Sequence, residues 1–186
     1  MSREFLSGKL LIAMPNMRDP RFERTVIYMC AHNEDGALGL VLNRLIDSLS
    51  FHDLLSQLGI DNSKLKQEIR VHFGGPVEPG RGFVLHSADY LQDSSLQVTD
   101  DVAMTATVEI LKDIAGGGGP RQKLLALGYA GWSPGQLDKE IQENGWLHAS
   151  ADELLLFDDE LEDKWERAIS KIGFDVSMLS SDSGHA

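Results

Sequence analysis

The stretch KLLALGYAGWSPGQLDKEI, residues 123–141, joins a strand to a helix and decides the class of fold. Its first part, residues 123–130, is a nearly continuous apolar run, which is typical of a strand covered on both faces. We expect Ser133 to be the N-cap of the helix that follows, with Pro134 as the first helical residue and Gln136 as the third. The Ser133 hydroxyl and the Gln136 amide would then satisfy each other's exposed backbone N–H groups in a capping box.

Strand and helix patterns alternate on both sides of this stretch. Apolar runs predict further strands at residues 10–14, 26–31, 36–42, 71–73, 82–85, 96–99, 146–149 and 153–157. Start and stop signals predict helices from Ser50 to Gly59, from Asp100 to Gly116 and from Glu160 to Ile172. The pair Asp35-Gly36 lies between two apolar runs and indicates a hairpin, so a purely parallel, doubly wound sheet is not expected. The pattern favours an α+β protein with a mixed sheet.

The length of the chain favours one domain. A chain of 186 residues that is 42% hydrophobic can bury roughly two thirds of its unfolded surface in a single core. No internal repeat and no second domain boundary is apparent, and we expect a single domain over residues 1–176. The last ten residues, 177–186, are poor in apolar side chains, and we expect them to form a flexible tail.

The charge of the chain restricts its partners. The formal net charge is −12 and the lysines and arginines are scattered, whereas proteins that bind DNA directly usually display a basic stripe. Direct nucleic-acid binding is therefore disfavoured, and we expect a protein partner instead. The single cysteine, Cys30, lies in an apolar run and excludes an internal disulfide, which fits a reducing cytoplasm. No signal peptide or membrane-spanning segment is expected, so the predicted location is cytoplasmic.

Four histidines, His32, His72, His86 and His148, could assemble a metal site or supply a general base. Their spacing matches no local metal motif, so we favour structural or surface roles and expect neither a metal nor a cofactor. The glycine run at residues 116–119 lacks the Lys-Ser or Lys-Thr pair of a phosphate loop and is better explained as a flexible connector.

No catalytic residue is assigned from the sequence. Cys30 has no evident neighbour that would stabilise a thiolate, and Ser133 is better explained as a helix cap. Asp19 and Glu140 could form a carboxylate pair only if the fold brought them together, and a turn contact and a solvated helix face are the simpler roles. Trp132 and Trp146 favour packing of a helix onto a sheet, but an exposed Trp132 would instead offer a stacking surface.

Four blocks of sequence, in order and across almost the whole chain, resemble the AlgH/YqgE family of small bacterial proteins. They are residues 8–22 with GKLLIAMP and DPRF, residues 32–43 with HNEDGALGLVLN, residues 74–86 with GGPV and RGFVLH, and residues 128–147 with GYAGWSPGQLDKEI, Asn144, Trp146 and Leu147. The resemblance implies a mixed, strongly bent sheet with barrel-like closure, surrounded by helices. The family name reflects a genetic link to the regulation of alginate synthesis, which implies a transcriptional role, and it supplies no catalytic residues.

Three hypotheses about function follow. The first is a non-enzymatic cytosolic regulatory or interaction protein that acts through protein partners. The second is a small-ligand sensor or an enzyme with a pocket near His32, Arg81 and Trp132, and the third is a scaffold that acts as a homodimer. The candidate residues for ligand or partner binding are His32, Asn33, Asn43, Arg81, Tyr129, Trp132, Gln136 and Glu140.

Overall fold

The structure is a computed structural model that describes residues 5–66 and 68–172, so the predicted tail at 177–186 lies outside the described residues. The strands are β1 (Lys9–Ala13), β2 (Val26–Asn33), β3 (Gly36–Val41), β4 (Val71–Phe73), β5 (Val77–Ser87), β6 (Leu96–Gln97), β7 (Val102–Thr105), β8 (Lys123–Trp132) and β9 (Trp146–Ser150). The helices are α1 (Phe51–Gln57), α2 (Val108–Ala115), α3 (Gln136–Gln142), α4 (Glu153–Phe157) and α5 (Lys164–Lys171).

The chain divides into two compact units, and each is described by itself. Among the described residues, unit 1 comprises 5–44 and 130–172, and unit 2 comprises 45–66 and 68–129. The strand β8 contributes its last three residues to unit 1 and its preceding residues to unit 2. One domain over residues 1–176 stays a prediction.

Unit 1 is built on an antiparallel sheet in the order β9-β1-β2-β3, followed by the end of β8. The register places Leu10 opposite Tyr28 on one side and Ala149 on the other, while Leu38 lies opposite Gly131. The predicted hairpin of β2 and β3 is confirmed, with Asn33 opposite Gly36 at its turn. A buried cluster packs on this sheet and contains Leu6, Leu11, Ala13, Ile27, Met29, Val41, Ala130, Trp132, Leu137 and Trp146.

Unit 2 contains a sheet in the order β6-β7-β5-β8, in which neighbouring strands are antiparallel, and β4 pairs with β8 in parallel. Its core joins α1 and α2 to the sheet through Phe51, Leu55, Val71, Val84, Ile110, Leu111, Ile114, Leu125 and Leu127. Register shifts interrupt β2 between Met29 and Ala31 and β5 between Val77 and Gly82, and such bulges bend a strand. The predicted α+β class with a mixed sheet is confirmed.

Two of the helix predictions agree closely with the structure. Ser50 caps α1 in a capping box with Asp53, and Gly59 beyond the helix adopts the left-handed conformation with φ of 72°. The last helix is α5, shorter than predicted, and its buried face includes Trp165, Ala168 and Ile169 as expected from their spacing.

The helix predicted from Asp100 is wrong over its first half. Val102–Thr105 is the strand β7, all four of its residues are buried, and it pairs with β5. The helix α2 begins only at Val108, where the Thr107 hydroxyl accepts a hydrogen bond from the backbone N–H of Ile110. Pairing with β5 satisfies the backbone of β7, and this tertiary interaction outweighs a helical spacing of small residues.

The strand predicted at residues 153–157 is also wrong, because Glu153–Phe157 is the helix α4. The side chain of Asp152 caps it by accepting a hydrogen bond from the backbone N–H of Leu155, at 2.8 Å. Leu155 and Leu156 are buried, whereas Leu154 is 67% exposed. A short apolar run cannot by itself distinguish a strand from one turn of a buried helix.

The capping box predicted before α3 forms only in part. The N-cap is Gly135, in the left-handed conformation with φ of 76°, and no side chain caps the helix. The Gln136 side chain still reaches back, and its Oε1 accepts a hydrogen bond from the backbone N–H of Ser133 at 2.9 Å. A left-handed glycine between Ser133 and the helix sends the chain through a turn, so the helix starts later than predicted.

In the part of the chain that the structure describes, every helix is too short or too polar to cross a membrane.

Candidate functional site

Trp132, Gln136 and Glu140 are predicted site residues that the structure brings together in unit 1. Oε1 of Glu140 accepts hydrogen bonds from the indole Nε1 of Trp132 at 3.1 Å and of Trp146 at 2.9 Å. Oε2 of the same carboxylate accepts a hydrogen bond from the Gln136 amide nitrogen at 2.8 Å. One carboxylate on α3 therefore ties the end of β8 to the start of β9, and both of its oxygens are engaged.

The two tryptophans are part of the core. Their exposed fractions are 7% for Trp132 and 3% for Trp146, and their ring centroids lie 6.1 Å apart in an edge-to-face arrangement. Phe22 stacks on Trp132 at 6.5 Å and meets the edge of Trp146 at 5.8 Å. Packing of a helix onto a sheet thus explains these side chains, and the buried Trp132 offers little surface for stacking a ligand.

Asp19 pairs with Arg21, whose guanidinium also interacts electrostatically with Glu140. The Asp19 carboxylate accepts hydrogen bonds from the Arg21 side chain, the shortest at 2.7 Å, and from the Arg21 backbone N–H at 3.0 Å. The Arg21 guanidinium lowers the pKa of Asp19 below its ordinary value, against the opposing effect of burial. Asp19 is therefore ionised at neutral pH and fixes its own turn, which is the simpler of the two expected roles.

His32 and Asn33 lie at the turn end of the β2–β3 hairpin. His32 is buried, and its Nδ1 accepts a hydrogen bond from the backbone N–H of Leu6 at 2.9 Å, so the neutral ring carries its proton on Nε2. That Nε2 lies 3.8 Å from Oδ1 of Asp138 on α3. Asn33 accepts a hydrogen bond from the backbone N–H of Asp35 at 2.8 Å and so shapes the turn. Because a ring nitrogen that carries a proton cannot ligate a metal ion, Nε2 of His32 is not a metal ligand in this tautomer.

Asn43 lies at the opposite end of the same hairpin. It accepts a hydrogen bond from the backbone N–H of Val26 at 3.0 Å and donates one to the carbonyl oxygen of Arg24 at 2.9 Å. Asn33 and Asn43 are thus separated by the length of β2, about 20 Å at 3.3 Å per residue. The two asparagines do not share one site.

Arg81 and Tyr129 lie in unit 2 and share one neighbour, Phe83. The Arg81 guanidinium lies 5.1 Å from the Phe83 ring centroid, and the Phe83 and Tyr129 rings meet edge to face at 5.8 Å. Arg81 also lies 3.6 Å from the Glu78 carboxylate. Arg81 is exposed, Tyr129 is half-buried and Phe83 is buried, so this arrangement presents mainly the cation on the surface of unit 2.

A buried polar network around His86 in unit 2 is not apparent from the sequence. Nδ1 of His86 lies 2.9 Å from the Ser87 carbonyl oxygen and donates to it, so Nε2 accepts from the Thr105 hydroxyl at 2.7 Å. The Ser95 hydroxyl lies 2.7 Å from that of Thr105 and extends the chain toward the surface. Burial lowers the pKa of His86, which keeps the ring neutral. In the sequence, only the apolar run before His86 indicates that this residue is buried.

The remaining candidate residues are His72, His148 and Cys30. His72 is buried with Nδ1 3.2 Å from the Leu125 carbonyl oxygen, and His148 is exposed on β9. Burial raises the pKa of the Cys30 thiol to about 12, so it is not a nucleophile at neutral pH. Within residues 5–66 and 68–172, no group of three or more His, Cys, Asp or Glu side chains is placed to hold a metal ion.

Fold and geometry together define a small α+β protein whose predicted site residues mainly hold its own strands and helices together. A family model described as AlgH-like matches residues 10–177. The chain belongs to the AlgH-like family, and the resemblance inferred from the four sequence blocks is confirmed.

Relatives support this assignment over the whole length. The chain is 55% identical over 184 residues to a UPF0301 protein of Paracoccus denitrificans, covering 97% of each. It is 55% identical over 190 residues to a UPF0301 protein of Beijerinckia indica, covering 98% of this chain and 93% of the relative.

Two solved structures share the fold. The solution structure of the AlgH protein from Pseudomonas aeruginosa is 40% identical with a TM-score of 0.80, and the match covers 100% of this chain and 98% of that one. A crystal structure of a protein from Corynebacterium diphtheriae has a TM-score of 0.74 at 22% identity, with 97% and 94% covered, and it shows the fold alone.

Proposed function

We propose that this protein is a non-enzymatic, cytosolic regulatory protein that acts by binding another protein. The observation that carries the proposal is that the Glu140 carboxylate accepts three hydrogen bonds, from the side chains of Trp132, Trp146 and Gln136. An acid or base in catalysis needs a proton position free to face the substrate. Here the Glu140 carboxylate holds α3 against β8 and β9, which favours a structural role over a catalytic one.

Other groups that could perform chemistry are engaged in the same way. His86 uses both ring nitrogens, Nδ1 on a carbonyl and Nε2 on a hydroxyl, and is buried. His32 uses Nδ1 to hold the backbone of Leu6. Such contacts favour a rigid scaffold over a reactive centre.

Action through a protein partner fits the charge better than action on DNA. With a formal net charge of −12, the protein repels the phosphate backbone of DNA. A regulatory role in transcription would therefore have to act through another protein. A gel-shift titration with duplex DNA should show no binding that depends on sequence and weakens with salt. Tight, sequence-selective retardation would overturn this part of the proposal.

The experiment that separates a binding protein from an enzyme or sensor is a thermal-shift screen against nucleotides, central metabolites and divalent cations. A ligand at a hundred times its dissociation constant stabilises the folded state by about 2.7 kcal/mol. For a chain of this size, that raises the melting temperature by roughly 5–10 °C. We expect no compound to do so, and a reproducible shift of this size would contradict the proposal.

One observation favours the second candidate, a small-ligand sensor. A cleft of about 480 Å³ lies over α3 in unit 1, lined by Leu6, Gly135, Asp138, Lys139, Ile141, Gln142 and His148. Its carboxylate, ammonium and imidazole groups could orient a small polar ligand. Should the screen give a hit, Lys139→Ala and Gln142→Ala would abolish the shift if this cleft binds the ligand. Exposed Lys112→Ala on α2 is the control and should leave the shift intact.

A further inference from the structure

Unit 2 carries three exposed apolar side chains in one small region. Leu91 is 51% exposed, Leu96 is 42% exposed and Val108 is 43% exposed. The loop that carries Leu91 leads to Leu96 at the start of β6. It is bonded to the segment that precedes Val108, because the Gln92 amide oxygen accepts a hydrogen bond from the Thr107 hydroxyl at 2.6 Å. We call Leu91, Leu96 and Val108, with the loop between Tyr90 and Leu96, the loop–α2 surface.

Hydrogen bonds hold the loop–α2 surface in one shape. The Tyr90 hydroxyl donates to the Asp113 carboxylate on α2 and accepts from the Gln92 amide nitrogen at 2.6 Å. The Ser95 hydroxyl accepts from the backbone N–H of Gln92 at 2.8 Å and also contacts Thr105 on β7. A surface that is already ordered loses less conformational entropy when it binds, so its apolar area contributes more to affinity.

The surroundings of this surface are strongly acidic. Arg121 and Lys123 interact electrostatically with Asp89. Residues 88–113 themselves contain six carboxylates, Asp89, Asp93, Asp100, Asp101, Glu109 and Asp113, against one lysine, Lys112. Each of these seven side chains belongs to an exposed residue. Apolar side chains surrounded by like charges fit a partner that presents apolar side chains surrounded by the opposite charge.

We propose that the loop–α2 surface binds a basic amphipathic segment of a partner protein. The proposal rests on the proposed function and names the chemistry of its partner. A second copy of this chain would bring the same carboxylates face to face, and like charges across an interface are costly. Nucleic acid and anionic lipid would be repelled by the same carboxylates.

The experiment uses the full chain and a synthetic helical peptide with a leucine face and a lysine face, labelled for fluorescence anisotropy. Two control peptides are needed: a scrambled one of the same composition without an apolar face, and one with glutamate in place of lysine. We expect only the amphipathic lysine peptide to bind, and its binding to weaken as the ionic strength rises. Amide signals of the 90–96 loop and of the first turn of α2 should shift in NMR spectra.

Variants locate the site. Leu91→Asn and Val108→Asn should each weaken binding about tenfold, as expected for apolar anchors at an interface. The matched control is Leu58→Asn, which changes a leucine of unit 2 that is 46% exposed but lies at the C-cap of α1, and it should bind like the wild type. Glu109→Gln should reduce the salt dependence. Circular dichroism and melting temperature confirm that each variant is folded.

Several outcomes would overturn the inference. Among them are equal binding of the scrambled peptide, no binding of the amphipathic peptide, and equal weakening by Leu58→Asn. Concentration-dependent dimers that Leu91→Asn dissolves would assign the surface to a second copy instead. None of these results touches the proposed function, which fails separately if a small molecule stabilises the protein in the thermal-shift screen.

Discussion

Oε1 of Glu140 lies 2.9 Å from the indole nitrogen of Trp146, and it accepts that hydrogen bond together with one from Trp132. The two donors, Trp132 at the end of β8 and Trp146 at the start of β9, are fourteen residues apart in the sequence. The acceptor lies on α3, the helix between these strands. One side chain thus closes the β8–α3–β9 segment, and its removal leaves two indole N–H groups in the core without an acceptor.

Replacing Glu140 by alanine should therefore destabilise the fold. Removing a charged acceptor from buried donors costs about 2–3 kcal/mol, since the stranded N–H groups lose their partners without regaining water. Glu140→Gln keeps one acceptor oxygen and should cost about 1 kcal/mol. Urea unfolding followed by far-ultraviolet circular dichroism measures both. If the alanine variant is no less stable than the glutamine variant, the hydrogen bonds of Glu140 with Trp132 and Trp146 contribute nothing to the free energy of unfolding.

Gly128→Ala should be among the most damaging single-methyl additions in unit 2. Gly128 has φ of +77°, and a Cβ there would lie 2.3 Å from the carbonyl oxygen of Gly75. Left-handed strain and a backbone clash together should cost about 3 kcal/mol or more. Gly80→Ala is the matched control, because a Cβ at that position meets nothing within 4 Å, and it should be nearly neutral. Melting temperatures distinguish the two, and similar losses would contradict the close approach of Gly75 and Gly128.

His86 should make the fold sensitive to mild acid. Burial lowers its pKa, although the Ser87 carbonyl and the Asp89 carboxylate act in the opposite direction. The unfolded chain consequently takes up a proton near the ordinary histidine value of about 6.5, before the folded chain does. The free energy of unfolding should fall as the pH drops through and below that value.

Urea titrations at several pH values between about 7.5 and about 5.5 measure this effect, since the carboxylates stay charged over most of that range. His86→Gln removes the titrating group and should give a flatter dependence on pH than the wild type. A wild-type curve with the same slope as that variant would show that His86 does not contribute.

Asp158 should matter more for stability than the lysine that it neutralises. Its carboxylate lies 3.3 Å from Nζ of the fully buried Lys164 and 2.6 Å from the Arg167 guanidinium. Burial opposes the charge on Asp158, but Arg167 and Lys164 still hold its pKa below the ordinary value. Asp158→Asn would remove the carboxylate that contacts both Lys164 and Arg167 and leave the buried Lys164 with only the more distant attraction of Asp159, at a cost of about 3 kcal/mol.

Lys164→Met should be milder, about 1 kcal/mol or less, because it removes the desolvated ammonium and leaves Asp158 paired with Arg167. Chemical denaturation of the two single variants and of the double variant tests this order. If Lys164→Met proves the more damaging change, the contact of Lys164 with Asp158 is worth more than its desolvation costs.

The part of the fold that local chemistry governs could be predicted from the sequence. Asp35-Gly36 indicated the β2–β3 hairpin, Ser50 and Gly59 bounded α1, and the apolar run before Tyr129 indicated the buried strand β8. Each of these signals acts within a few residues, through turn geometry, capping hydrogen bonds or the burial of adjacent side chains. The four sequence blocks also placed the chain in its family.

Tertiary structure alone decided the assignments that depend on distant partners. Residues 102–105 form a strand because β5 lies beside them, and Trp132 is buried because Phe22, Trp146 and Glu140 surround it. The chain of contacts from His86 to Ser95 and the loop–α2 surface join residues from separate elements, and no local pattern encodes such contacts. The sequence by itself thus determined the β2–β3 turn, the cap of α1 and the family of this protein. Long-range packing and hydrogen bonding decided which polar groups are bonded inside the fold and which apolar side chains stay exposed.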